Sequence, residues 1–195
     1  MLTMTTHEER LRQKLAPETV GTTLIRAGCF LSAYELIKSE IVDKVRGFFW
    51  CGFKDLYDEE HYQRDVLSRN PKSRYRASCG WLVEMDALTS GQVKQLEAIH
   101  QHRQEIAHEL PKLLIDPDFE VKTDLLVAAL GCLRSLGIFW GSIDVDTDPD
   151  FDGVDVDYNE IKSGSFLLME YLVALCGIDA VQAGAAGQTE EERVQ

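Results

Sequence analysis

Along the chain, apolar residues recur mostly at intervals of three and four, the spacing of one face of an α-helix. The stretch after Thr19 shows this most plainly. Phe30, Ala33, Tyr34, Ile37, Ile41, Val45, Phe48 and Phe49 make a stripe, and Glu35, Lys38, Glu40, Asp43, Lys44 and Arg46 fill much of the rest. The pattern predicts one long amphipathic helix from Thr19 to about Gly52. Before it, Thr6 and Glu9 form the T-x-x-E capping-box pattern, which predicts a short helix ended by Pro17. Asp58 to Arg69 is expected to be a shorter helix broken by Asn70-Pro71. Ser73 to about Ala87 follows, with Tyr75, Cys79, Leu82 and Met85 on one stripe. Ser90 then suits the N-cap of a helix marked by Val93, Leu96, Ile99, Arg103, Ile106 and Leu110. Pro111 cannot donate to the carbonyl of Ala107 and disfavours helical geometry at Leu110, so that helix should end or kink near Glu109. A short apolar piece, LPKLLI, comes next. Two apolar helices are expected at Thr123 to about Trp140 and Phe166 to about Ile178. No alternating strand pattern and no repeat appear.

The expected fold is therefore all-α, a bundle of about five main helices with short connections. Residues 1–18 form an N-terminal arm, 19–180 the helical domain, and 181–195 a small, polar, disordered tail.

Composition narrows the class. Apolar residues make up 45% and charged residues 27% of the 195, as in a globular protein. No uninterrupted run of 18 apolar residues exists, and the N-terminus lacks the apolar core of a secretory signal, so a cytoplasmic protein with no membrane partner is expected. Cys29, Cys51, Cys79, Cys132 and Cys176 are odd in number, widely scattered and set among apolar neighbours, which predicts free core thiols in a reducing compartment. The formal net charge of −13 repels nucleic acid at long range, but a local basic cleft remains compatible with it.

Two charged stretches follow. Arg64, Arg69, Lys72, Arg74 and Arg76 lie within thirteen residues that contain one acid, Asp65. They are the candidate RNA-contacting set, with Tyr75 as a stacking surface; a solvated loop is the plainer alternative. Residues 142–160 form an acidic loop. Within it Asp148, Asp150, Asp152 and Gly153 match the D-x-D-x-D-G opening of a calcium loop. The match then fails, because the twelfth position is Asn159 and the eighth is Asp155. No metal is assigned, and calcium stays a weak alternative. A solvated connector, or a phosphate mimic covering a basic cleft, are the other readings of this loop.

The chemistry-bearing stretch is HQHRQEIAHELP at 100–111. Arg103 and His108 fall five residues apart, about 140° around an ideal helix, so one straight helix does not aim both at one point. The Pro111 break could turn His108 inward, or two copies of the helix could face each other. In the last turn of its helix, His108 would meet the negative end of the helix dipole, a setting that suits a protonated general acid.

RQEIAHEL, with its flanks from Ala77 to Leu110 and the long helix LIRAGCFLSAYELIKSEIVDKVRGFF, resembles the HEPN family (higher eukaryotes and prokaryotes nucleotide-binding domains). Its signature is Arg, a polar residue, three to five residues, then His. The likeness spans roughly Val20 to Leu175, and RQEIAHEL carries its distinctive part. It implies an up-and-down α-helical bundle and, for many members, a metal-independent endoribonuclease that needs no cofactor. It assigns Arg103 and His108 to catalysis, with Gln104, Glu105 and His102 in support, and it implies a homodimer through the motif helices. His102 and Lys112 are near enough in sequence to meet phosphate as well. Bacterial relatives often act as toxins or anti-phage effectors, so RNA and an antitoxin or regulatory protein are the implied partners. Gln104 stands where the family usually has Asn, Asp or His. Leu110 stands where nucleotidylated members have Tyr. Some members are non-catalytic dimerisation modules, the main alternative here.

Overall fold

A computed structural model describes residues 6–53 and 56–178; the predicted tail at 181–195 lies outside them. Helix α1 (His7–Lys14) carries the expected capping box, with the Thr6 hydroxyl and the Glu9 carboxylate each accepting the other's backbone N–H. Pro17 does not simply end α1: it occupies the first turn of α2 (Pro17–Lys38), where its missing N–H has no carbonyl to serve. The long helix predicted from Thr19 to Gly52 is interrupted. A π-helical turn at Ser39–Asp43 joins α2 to α3 (Lys44–Phe48), and the helix stops at Phe48. The sequence stripe placed Glu40 on the solvent side; the π turn instead buries it. Its Oε1 accepts from Ser165 Oγ at 2.6 Å, Lys44 Nζ lies 3.3 Å from Oε2, and its carbonyl accepts from Trp140 Nε1 at 3.2 Å.

Helix α4 (Glu59–Asp65) is capped by Asp58 and passes into a 3₁₀ turn at Leu67–Arg69; α5 is Arg74–Glu84, capped by Ser73. Helix α6 (Ser90–His108) begins with a capping box of Thr89 and Gln92, so Thr89 and not Ser90 is its N-cap. As Pro111 predicts, α6 ends at His108 and α7 (Leu110–Ile115) follows. Helix α8 (Asp124–Thr147) runs seven residues beyond the predicted stop at Trp140. No Pro or Gly pair breaks it before Asp148-Pro149, and Ile143 still packs on the core. The acidic loop thus begins at Asp148 and not at Ser142. Helix α9 (Gly164–Leu175) is capped by Ser163.

The five long helices, α2, α5, α6, α8 and α9, make an all-α bundle with no strand among the described residues. Helix α8 packs on α2, α6 and α9, while α2 also packs on α6 and α9. Leu126, Leu133, Leu136 and Trp140 of α8 interlock with Phe30, Ile37, Ile41, Leu96, Ile99 and Met169 in one core. By length and composition α8 would also suit a membrane span, with a mean hydropathy of 1.6 over its best 18-residue window. Here it is the central helix of the bundle. Four cysteines are buried as expected, but Cys51 is exposed, because it lies beyond the end of α3 in the turn toward Tyr57.

Candidate functional site

The turn of α6 around His102 and Glu105 faces inward. His102 is only 1% exposed, and its ring meets Phe30 of α2 edge-on at 4.9 Å. Its Nε2 accepts the backbone N–H of Lys122 at 3.0 Å. A nitrogen that accepts carries no proton, so the proton rests on Nδ1, which donates to Glu105 Oε2 at 2.7 Å. This hydrogen bond, with the nearby Lys122 ammonium, holds the Glu105 carboxyl below the usual carboxylate range. His102 and Glu105 therefore tie α6 to the segment before α8. The expectation that His102 meets phosphate is corrected: both ring nitrogens are engaged inside the protein.

Arg103, Gln104 and His108 face outward. The Arg103 guanidinium lies over the Tyr34 ring, 5.4 Å from its centroid, and Nη2 is 3.5 Å from Glu35 Oε1. Its side chain keeps 34% of its surface exposed, while Nε is buried without an acceptor. Beneath it, the Tyr34 hydroxyl is 2.7 Å from His100 Nδ1, and His100 Nε2 accepts from the exposed Gln104 amide at 2.9 Å. Burial pushes the Tyr34 hydroxyl above its ordinary pKa; the Arg103 charge opposes that rise. His108 is exposed in the last turn of α6, with no hydrogen-bond partner among the described residues. Helix α6 stays α-helical through His108, so the Pro111 break falls too late to turn its ring inward. Within one chain, Arg103 leans toward α2 while His108 projects from the helix end.

Tyr34, Glu35 and His100 were not singled out by sequence as site residues. His100 and Gln104 lie one helical turn apart, a signal available on α6 alone. Tyr34 and Glu35 depend on which helix packs against α6, which periodicity does not encode.

The basic segment is largely neutralised. Arg64 makes a two-pronged pair with Asp65, at 2.6 and 2.8 Å, Arg69 pairs with Glu84, and Arg76 reaches Glu97 at 2.5 Å. Lys72 and Arg74 make no ion pair among the described residues. Tyr75 is half-buried and stacks on His100 at 6.0 Å, so it is not the exposed stacking surface expected. Lys112 lies over the Phe119 ring at 5.1 Å.

In the acidic stretch, Asp148 Oδ1 accepts the Asp150 N–H and Asp157 Oδ1 accepts that of Asn159, both as local turn caps. Arg134 of α8 donates to the carbonyls of Asn159 and Ile161 and so anchors the far end. Among the described residues, no group of three His, Cys, Asp or Glu side chains converges as a metal site, including Asp148, Asp150 and Asp152. The cations of Arg64–Arg76 that are paired meet Asp65, Glu84 and Glu97, not the carboxylates of this stretch. No protein-family model matches the chain, and no curated protein or solved structure is significantly similar to it.

Proposed function

We propose that the protein is a metal-independent endoribonuclease of the HEPN type, acting as a cytoplasmic homodimer whose α6 helices meet. One observation carries the reading: on α6 the exposed His108 keeps donor capacity that the fold does not use, and the Arg103 side chain, held over Tyr34 and beside Glu35, still keeps 34% of its surface exposed. The imidazole of His108 has no hydrogen-bond partner among the described residues. A second copy supplies the convergence that the 140° separation denies to one helix. In the reaction, a ribose 2′-oxygen attacks the adjacent phosphorus as the bond to the 5′-oxygen breaks. The two copies of His108 take the 2′ proton and return one to the leaving oxygen, and Arg103 stabilises charge on the phosphate. The products are a 2′,3′-cyclic phosphate and a 5′-hydroxyl. A role as toxin or anti-phage effector, with an antitoxin or regulatory partner, rests on the RQEIAHEL resemblance alone.

A second reading, a non-catalytic interaction module, draws on α9. Leu167, Leu168, Tyr171 and Leu175 are 46–61% exposed on one side of that helix, an apolar face suited to docking. Incubating the purified protein with end-labelled structured and unstructured RNAs in EDTA separates the two. Cleavage that leaves cyclic-phosphate ends supports the enzyme. A folded protein that leaves every RNA intact favours the module.

A further inference from the structure

Between α5 and the first half of α6 lies a cleft of about 480 Å³, within the size range of small-molecule sites. Its walls are apolar: Tyr75, Cys79, Val83 and Val93 line it, all buried or half-buried. Burial pushes the Cys79 thiol up to about 12, so at neutral pH it is an uncharged part of that wall. The exposed lining residues are Ser90 and the charged Arg76, Lys94 and Glu97. Arg76 is taken up by Glu97 at 2.5 Å, which leaves Lys94 as a lining cation with no carboxylate partner among the described residues. The Tyr75 hydroxyl is buried and likewise without a hydrogen-bond partner there. An apolar trough lined by an unpaired ammonium suits a guest with an apolar body and one negative end, held by Lys94 against the long-range repulsion of a chain of net charge −13.

We propose that this cleft binds a small amphipathic anion, an aromatic or alkyl body lying against Tyr75, Val83 and Val93 with its carboxylate or sulfonate at Lys94. The proposal stands apart from the ribonuclease reading. Because the Tyr75 ring stacks on His100, which accepts from Gln104, occupancy is also felt at the base of the Arg103 site.

The probe is 1-anilinonaphthalene-8-sulfonate, titrated by fluorescence against the native protein, with decanoate as competitor. One saturable site per chain is expected, displaced by decanoate, with a change in the His100 ring signals by NMR. Val93→Trp fills the trough and should weaken binding about tenfold or more. Lys94→Glu, a surface change that leaves the fold intact, should weaken the sulfonate about fivefold or more while leaving the neutral N-phenyl-1-naphthylamine unaffected. No saturable binding, or binding indifferent to Lys94→Glu, overturns the proposal. Binding lost in Leu168→Glu but kept in Val93→Trp places the probe on α9 and overturns it too.

Discussion

His102 and His108 share helix α6, lie six residues apart and belong to the same polar run, yet they have opposite surroundings. His102 is enclosed by Phe30, Glu105 and the Lys122 amide, and both its nitrogens are committed. His108 stands at the helix end with nothing committed among the described residues. The difference does not come from the histidines. It comes from what packs opposite: α2 and the strap before α8 cover the His102 side of α6, whereas in the last turn Ile106 is buried and the His108 side chain is left exposed. A polar residue inside such a cover becomes part of the fold; one outside it is available for chemistry.

The comparison would break if the two residues contributed alike to stability. His102→Ala takes the acceptor from the Lys122 N–H and opens a void beside Phe30. It should cost about 2–4 kcal/mol in urea unfolding, whereas His108→Ala should change stability by about 0.5 kcal/mol or less. Equal losses would mean that His108 is also packed. A finer test lies in the layer beneath Arg103. Tyr34→Phe removes the hydroxyl that meets His100 Nδ1 and should cost about 1 kcal/mol by the same measurement.

The His102–Glu105 pair also has a pH signature. The folded carboxyl of Glu105 titrates below its ordinary value of 4.5, so its stabilisation is complete above that pH and is lost as the pH falls through the lower folded value. Glu105→Gln should therefore flatten the decline in stability below pH 4.5, read from urea midpoints across an acid series. A decline as steep as in the native protein would remove Glu105 from the account. The smallest effect is expected in the basic segment. Arg64 and Asp65 form an exposed pair of neighbours, and Arg64→Ala should leave the melting temperature unchanged.

Much of the fold was legible because periodicity and caps are local. Thr6 with Glu9 and Pro111 each act within one or two turns, and the capping box of α1 and the end of α6 appear where expected; the start of α6 shifts by one residue, from Ser90 to Thr89 as N-cap. Glu40 was misjudged because a π turn adds a residue and shifts the helical register, and nothing in the apolar stripe marks it. The stop of α8 was placed too early because polar Asp and Ser residues do not end a helix that has no breaker. For the site, the spacing of Arg103 and His108 was legible, as was the failure of one helix to bring them together. Which of three neighbouring histidines would be buried was not. That depends on Phe30 and Lys122, both far away in sequence.

The central claim is that Arg103 and His108 cleave RNA while His102 holds the fold. Its most direct test is single-turnover cleavage of end-labelled RNA in EDTA by the native protein, Arg103→Ala and His108→Ala, each verified as folded. The account predicts native cleavage that leaves cyclic-phosphate ends and a loss of about 10²- to 10⁴-fold in His108→Ala, with a loss in Arg103→Ala as well. Cleavage at the native rate by folded His108→Ala would contradict it.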